Sequence, residues 1–383
     1  MLARHEVLTP RTSWADRWLG LRDRWLASRR FQHWAAGFPL TRGIARRRAR
    51  ALFDLVAGFV YSQVLLACVR LRLFDLLSHG PLDLKTLAQR LALTEDAAAT
   101  LLAAAESLGL VQRRRGGRYG LGALGATMVG NTAIAAMVEH HAALYQDLHD
   151  PVALLKRPGG GALAGYWPYA EAALPSQLDD TRVATYSALM SASQPLVADE
   201  ILGAYPIARH RCLLDVGGGD GTFLAAAAAH APALRLKLFD LPAVAARAQA
   251  RFASAGLSGR ASAIGGSFLT DALPTGADLA TLIRVVHDHD DARAATLLRA
   301  VHQALAPGGT LLLAEPMAGT RGAEPMGDAY FGFYLLAMGR GRPRTEAELS
   351  AMLRAAGFIS VRALPTRMPL QTRLLQAQKA QKA

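Results

Sequence analysis

Three glycines, two acids and a histidine hold the positions where this chain could do chemistry. Gly217, Gly219 and Gly221 close the run LLDVGGGDG (Leu213–Gly221), and Asp240 stands in Phe239-Asp240-Leu241-Pro242. Each site follows an apolar stretch that reads as a strand. The first strand runs into a glycine-rich turn and the second ends in an acid. In an α/β sheet, such glycines let backbone approach a nucleoside-bearing ligand, and a carboxylate about twenty residues on takes its ribose hydroxyls. A dinucleotide fingerprint reads G-x-G-x-x-G, whereas this turn reads G-x-G-x-G, with Thr222 where the last glycine would stand. The tighter loop has no pyrophosphate to cradle and suits S-adenosylmethionine over NAD. The expected cofactor set is Asp215, Gly217, Gly219, Gly221, Asp240 and Leu241, joined by Ser267 and Phe268 after a third predicted strand. Phe268 fits an adenine contact and a core position equally well.

His287 lies in IRVVHDHDD, where a buried strand meets its loop. An imidazole with an ordinary pKa near 6.5 suits proton acceptance at neutral pH. Glu315 ends the next predicted strand in LLLAEP and is placed to orient the ring and stabilise its cation. A lone histidine is more often a satisfied core residue, but a strand end beside the cofactor turn favours the chemical reading. His289 completes a His-x-His pair without a further ligand at the usual spacing, so no metal is expected. Phe331, Tyr334 and Met338 belong to an aromatic and methionine cluster with Met317, Met326, Tyr330 and Phe333. That cluster reads either as core or as the lining of an apolar substrate channel.

The elements that must hold these residues alternate. Strands are expected at Cys212–Val216, Leu234–Phe239, Ala261–Gly265, Leu279–Val286, Gly309–Ala314 and Phe358–Ala363, with helices between most of them. Met368–Gln376 adds a final antiparallel strand. This pattern predicts a doubly wound, mostly parallel sheet, whose ligands lie at the carboxyl ends of the strands. Upstream, Leu84–Leu91, Thr94–Leu108 and a hairpin at Leu110–Arg113 and Arg118–Leu121 predict a winged helix. Its second helix, TEDAAATLLAAAESL, has no Arg or Lys to meet phosphate or base edges, which argues against DNA and for dimerisation. Residues 130–200 read as mostly helical, with loops at Pro151 and Pro158–Gly161.

Charge is unevenly placed. The whole chain carries +13, and residues 1–50 hold 12 arginines against Glu6, Asp16 and Asp23, a local net of +9. Trp14, Trp18, Trp25 and Trp34 share that segment with Phe31 and Phe38. Arginine with tryptophan suits the headgroup region of an anionic membrane, where each basic residue contributes about 1 kcal/mol. Packing against the body of the protein and nucleic-acid contact are the competing readings. Charges interrupt the first thirty residues, so no secretory signal is expected. Cys68 and Cys212 are too distant in sequence to suggest a disulfide framework, which fits a cytoplasmic, reducing compartment. The uncharged run Leu55–Val69 is shorter than the roughly 18–20 residues of a spanning helix and reads as a buried helix at a domain or subunit core.

Taken together, DVGGGDG, FDLP, GGSF, RVVHDHDD, APGGTLLLAEP and RTEAEL with AAGF resemble the O-methyltransferases of the plant caffeic-acid type and their bacterial relatives, over residues 50–370. The resemblance implies an α/β fold: a Rossmann-like class I methyltransferase sheet (206–383) after a basic arm (1–50), a winged-helix dimerisation domain (51–130) and a helical linker with pocket segment (131–205). It implies a homodimer, a general base at His287, a flanking acid at Glu315 and a ribose ligand at Asp240. Three positions depart from the family pattern. The Trp after His-Asp is His289, a second flanking Glu is Pro343, and a cofactor-contacting Lys falls on Ile283, with Arg284, one place later, joining the expected cofactor set in its stead. More narrowly, the run from Arg30 to Leu77 resembles the hydroxyneurosporene/demethylspheroidene O-methyltransferases of purple phototrophic bacteria. That implies methylation of the tertiary hydroxyl of an acyclic carotenoid, by an enzyme peripheral at the inner photosynthetic membrane. A methyltransferase acting on a bacteriochlorophyll precursor, or on another small hydroxylated apolar molecule, would use the same fold.

Overall fold

The structure, a computed structural model, describes residues 13–157, 159–166 and 180–381. Residues 1–12 of the basic arm, Pro158 of the predicted loop and the stretch 167–179 lie outside the described residues. The chain divides into two units, Met1–Leu124 and Gly125–Ala383.

In the first unit, α1 (Trp14–Ala27), α2 (Arg29–Gly37) and α3 (Arg42–Arg70) precede α4 (Leu73–Ser78), α5 (Leu84–Leu91) and α6 (Glu95–Ser107). Side-chain oxygens start several of them: Ser13 caps α1, Asp83 accepts from the Thr86 N–H at α5, and Thr94 accepts from the Ala97 N–H at α6. Each such cap satisfies a backbone donor that the helix cannot. The hairpin of β1 (Val111–Arg113) and β2 (Tyr119–Leu121) is antiparallel, and Gly116 and Gly117 supply the positive φ of its turn. Leu73, Phe74, Leu87, Ala98, Leu102 and Tyr119 are buried in this unit.

Of the two settings expected for the apolar run, a domain core and a subunit core, the first fails here. The apolar run after Asp54 is not a buried helix within the chain. It is the continuation of α3, a helix of 29 residues in which only Leu66 and Cys68 are buried. Leu52, Phe53, Leu55, Val56 and Phe59 are each more than 60% exposed. Bounded by Asp54, the uncharged run is shorter than a spanning helix. A single charge does not end a helix, and α3 is long and apolar enough to cross a membrane by length and composition. The tryptophans of α1 and α2 are also exposed, and with half-buried Phe31 and the C-cap Phe38 they form a ladder: Trp25 to Phe31 at 6.0 Å, Phe31 to Trp34 at 5.7 Å, and Trp34 to Phe38 at 5.0 Å between ring centroids.

In the second unit, after the short α7 (Ala123–Ala126), come α8 (Thr132–Asp147), α9 (Pro151–Lys156) and α10 (Asp180–Ala204). A seven-stranded sheet follows, in the order β5-β4-β3-β6-β7-β9-β8. Its strands are β3 (Cys212–Val216), β4 (Arg235–Asp240), β5 (Ala261–Gly265), β6 (Ala277–Ile283), β7 (Leu305–Glu315), β8 (Ile359–Leu364) and β9 (Arg373–Gln378). The first five are parallel, and β9 lies antiparallel between β7 and β8. Helices α11 (Thr222–His230), α12 (Pro242–Ser254), α13 (Asp291–Ala304), α14 (Phe331–Met338) and α15 (Glu346–Ala355) connect or flank the strands. Leu213 and Leu214, adjacent on β3, fall in two different apolar clusters, as expected of a strand covered on both faces. Strand order reverses between β3 and β6, the kind of switch point at which such sheets bind their ligands.

Candidate active site

The turn after β3 is built by exclusion. Gly217 has φ 70°, and a Cβ there would stand 2.7 Å from Val285 Cγ2. Gly221 has φ 81°, and its Cβ would stand 2.6 Å from the Phe252 ring. Gly219, at φ 61°, differs: nothing lies within 4 Å of where its Cβ would be. Its α-carbon faces open space, which a ligand can approach closely. The Gly219 N–H donates to Asp240 Oδ2 at 2.8 Å, and the Leu241 N–H donates to Asp240 Oδ1 at 2.7 Å. Asp240 therefore serves the glycine turn and is not the cap of α12, whose N-cap is Leu241 without a side-chain bond. Burial pushes the Asp240 carboxyl up to about 6 against the pull of those two N–H groups. Each of its oxygens keeps a lone pair for a ribose hydroxyl. Open space over Gly219 and a carboxylate at the end of β4 fit an adenosine-bearing group.

Two members of the expected cofactor set sit elsewhere. Asp215 is 1% exposed and lies under the turn, where Oδ1 accepts from the Thr281 hydroxyl at 2.7 Å. Its Oδ2 has no partner among the described residues, and burial pushes the carboxyl up to about 7. The inward alternation of β3 puts it there, so it supports the turn from below. Arg284 has φ 56°, which turns its side chain onto α10: it donates to Ser193 Oγ at 2.7 Å, Gln194 Oε1 and the Met190 carbonyl. It ties α10 to the end of β6. Ser267 and Phe268 follow β5 at the crevice; the Ser267 N–H donates to Asp271, and the Phe268 ring meets His289 edge-on at 5.1 Å.

His287 sits in a single helical turn, Val286–Asp288, just past β6. Its Nδ1 bonds Glu315 Oε2, and its Nε2 stands 3.1 Å from Asp288 Oδ1. Glu315 Oε1 accepts from the Val285 and Val286 N–H groups, so one buried carboxylate holds both ring and loop. Burial would push the imidazole down, but the charges of Glu315 and Asp288 overcome it and raise the ring to about 10. A second strap holds the loop. Arg344, 2% exposed, donates to the carbonyls of Val286 and His289 and to Asp291. Gly341, at φ 79°, packs its backbone so closely that a Cβ would meet the His287 carbonyl at 2.1 Å.

The aromatic cluster divides. Phe331 is half-buried with its ring 5.8 Å from that of His287, beside Tyr330 at 5.1 Å and Tyr334 at 6.3 Å. Tyr334 and Met338 are both buried, at 9% and 2% exposed, in one cluster with Leu144, Leu154 and Leu163; Met338 is core and not lining, and Tyr334 reaches the site through its ring contact with Phe331. The reason is helical: α14 buries its C-terminal turn against α9 and the Ala162–Tyr166 segment. Sequence reasoning missed Asp288, Arg344, His140 and His141. Asp288 was readable in principle, since it follows His287 directly and supplies a second carboxylate in a chain that has Pro343 at the position of the second flanking Glu. The other three act across long sequence separations and left no local signal.

Comparison with known proteins gives consistent results. Residues 167–359 match the model of an O-methyltransferase domain, and residues 53–131 match an O-methyltransferase dimerisation domain. The chain is 43% identical over 342 residues to the demethylspheroidene O-methyltransferase of Cereibacter sphaeroides, covering 89% of this chain and 90% of that one. It is 43% identical over 341 residues to the enzyme of the same name from Rhodobacter capsulatus, covering 89% and 85%. The solved structure of human N-acetylserotonin methyltransferase in complex with SAM aligns with a TM-score of 0.73 at 24% identity, covering 87% of this chain and 98% of that one. That last likeness speaks for the fold.

Proposed function

The chain belongs to the O-methyltransferase family, and from that premise we propose that it methylates the tertiary 1-hydroxyl of an acyclic carotenoid of the demethylspheroidene type. The observation that carries this reading is 43% identity over 89% of the chain to an enzyme named for that acceptor. S-adenosylmethionine is the cofactor; when bound, it supplies a methyl group on a cationic sulfur. Gly217, Gly219 and Gly221 form its cradle and Asp240 takes the ribose. Phe331 and its neighbours cover the acceptor and exclude water. His287 Nε2 receives the hydroxyl proton as the new O–C bond forms, while Glu315 holds Nδ1 and the ring orientation. A tertiary alcohol is far less acidic than a phenol, so proton loss and bond formation run together. Such base help typically gives about 10²–10⁴-fold.

With a pKa of about 10 the ring carries a proton at neutral pH. To act as a base it must first lose that proton. Release of Asp288 from Nε2 and the approach of a cation both disfavour the charged ring.

The homodimer assembles through residues 53–131, which take in the exposed apolar face of α3. The aromatic ladder of α1 and α2, set among arginines, supports peripheral contact of residues 1–50 with an anionic membrane at the cytoplasmic side, where a carotenoid acceptor would be met.

The test is mass spectrometry of a 1-hydroxycarotenoid incubated with purified protein and methyl-labelled S-adenosylmethionine, wild type against His287→Ala. A labelled methyl ether that the mutant fails to make supports acceptor and base together. Label that survives the mutation keeps the acceptor and removes the base. Label only on a tetrapyrrole or phenol overturns the acceptor.

A further inference from the structure

We infer that His140 and His141 set the acceptor specificity of the site: by engaging the hydroxyls of Tyr334 and Tyr330, they tie both hydroxyls to α8 and leave ring surface beside His287, a surface for the hydrocarbon flank of an alcohol. The inference rests on the reading that the acceptor lies against Phe331 and His287.

Tyr330 and Tyr334 are four residues apart and share one helical face, with rings stacked at 5.9 Å. Between them and the catalytic imidazole lies Phe331. Two adjacent residues of α8 reach these tyrosines: His140 Nε2 is 2.9 Å from the Tyr334 hydroxyl, and His141 Nε2 is 2.8 Å from that of Tyr330. Neither histidine belongs to the dyad of His287 and Glu315.

A phenol hydroxyl in such a wall has two possible fates. It bonds a protein group, or it remains available to whatever fills the pocket. Two phenols within one helical turn of Phe331 would suit a ring bearing several hydroxyls. Their engagement by α8 commits one hydrogen bond of each hydroxyl and fixes its direction, which works against that option. Burial pushes both imidazoles down, His140 to about 4 with His141 adding to it, and pushes the Tyr330 hydroxyl up. Both imidazoles and the Tyr330 hydroxyl are therefore uncharged at neutral pH, and hydrocarbon meets no net charge from them. A polar acceptor group placed there would lose its water without gaining a partner, a handicap of roughly tenfold to hundredfold.

The test is a pair of mutant cycles on the full-length protein, His141→Leu with Tyr330→Phe and His140→Leu with Tyr334→Phe. kcat and KM are measured for a 1-hydroxy acyclic carotenoid and for a simple catechol, with S-adenosylmethionine binding followed by calorimetry. His141→Leu frees the Tyr330 hydroxyl, so kcat/KM for the carotenoid should fall roughly tenfold, mainly through KM, and the preference over catechol should narrow. Adding Tyr330→Phe removes the freed hydroxyl and should regain most of the loss. His141→Gln, whose amide oxygen still accepts a hydrogen bond, should regain it as well, and it decides the matter if the leucine variant does not fold. A double variant no better than His141→Leu, or a glutamine variant that loses the preference while still binding S-adenosylmethionine, overturns the inference. A wild type that methylates catechol and not the carotenoid overturns the substrate reading instead.

Discussion

Asp288→Asn removes one of the two charges, beside that of Glu315, that keep His287 protonated. The asparagine amide oxygen can still meet Nε2, so the contact persists while the charge goes. Asp288 Oδ1 lies 3.1 Å from Nε2, which puts the two charge centres about 4 Å apart. At an effective dielectric of about 20, that is about 4 kcal/mol, or about 3 pH units. Removing it should carry the ring from about 10 to near neutrality. At pH 7.5 the unprotonated fraction would rise from roughly one in a few hundred to more than half. The assay is kcat/KM for labelled methyl transfer between pH 6 and 10, because kcat/KM reports groups of the free enzyme. The acid limb should move down by up to about 3 pH units. An acid limb that stays in place or moves up would refute the reasoning, since Asp288 would then not be what holds the proton, or His287 not what accepts it.

The same raised pKa bears on stability. The folded ring titrates near 10 against about 6.5 when unfolded, so its contribution is full below about pH 6.5 and is lost as pH rises through 10. The melting-temperature gap between wild type and His287→Gln should shrink from pH 6 to pH 10; a gap that widens contradicts the assignment. Gly219→Ala places its Cβ in open space and Gly221→Ala drives its Cβ into Phe252. Calorimetry should show weaker S-adenosylmethionine binding by at least about tenfold for the first, with a smaller loss of melting temperature than for the second, since a positive φ alone costs about 1–2 kcal/mol. Arg344→Met leaves the Val286 and His289 carbonyls without their donor. Denaturant melts should show a loss of about 2–4 kcal/mol, and methyl transfer should fall further than cofactor affinity does. Unchanged turnover in a folded Arg344→Met would remove the strap from the account of the site.

The sheet was readable because its signals are local. Apolar runs bounded by glycine, aspartate or proline gave Cys212–Val216 and Ala261–Gly265 with the bounds that the structure has. The crevice was readable because strand ends carried glycine, Asp240 and His287 in chain order. Direction was harder to read. Asp215 precedes the turn in sequence but points beneath it, and Arg284 turns away because its backbone is left-handed. Met338 and Phe331 belong to one helix, and only packing decides which lines a pocket. The His140–Tyr334 pair spans 194 residues, so no spacing rule could suggest it. The exposure of α3 was missed for another reason: hydrophobicity says that a face will be covered, not by what.

The position of β9 has a consequence for how the molecule assembles. Strand β9 follows β8 in sequence yet inserts between β8 and β7, and its first residue, Arg373, pairs with Glu315, the last residue of β7. Until that insertion, β7 is an open edge, able to recruit a strand from another molecule. The same event pins the carboxylate that grips His287. Sheet closure is a non-local step, so the strand end that carries Glu315 gains its second neighbour only when the last gap in the sheet is filled.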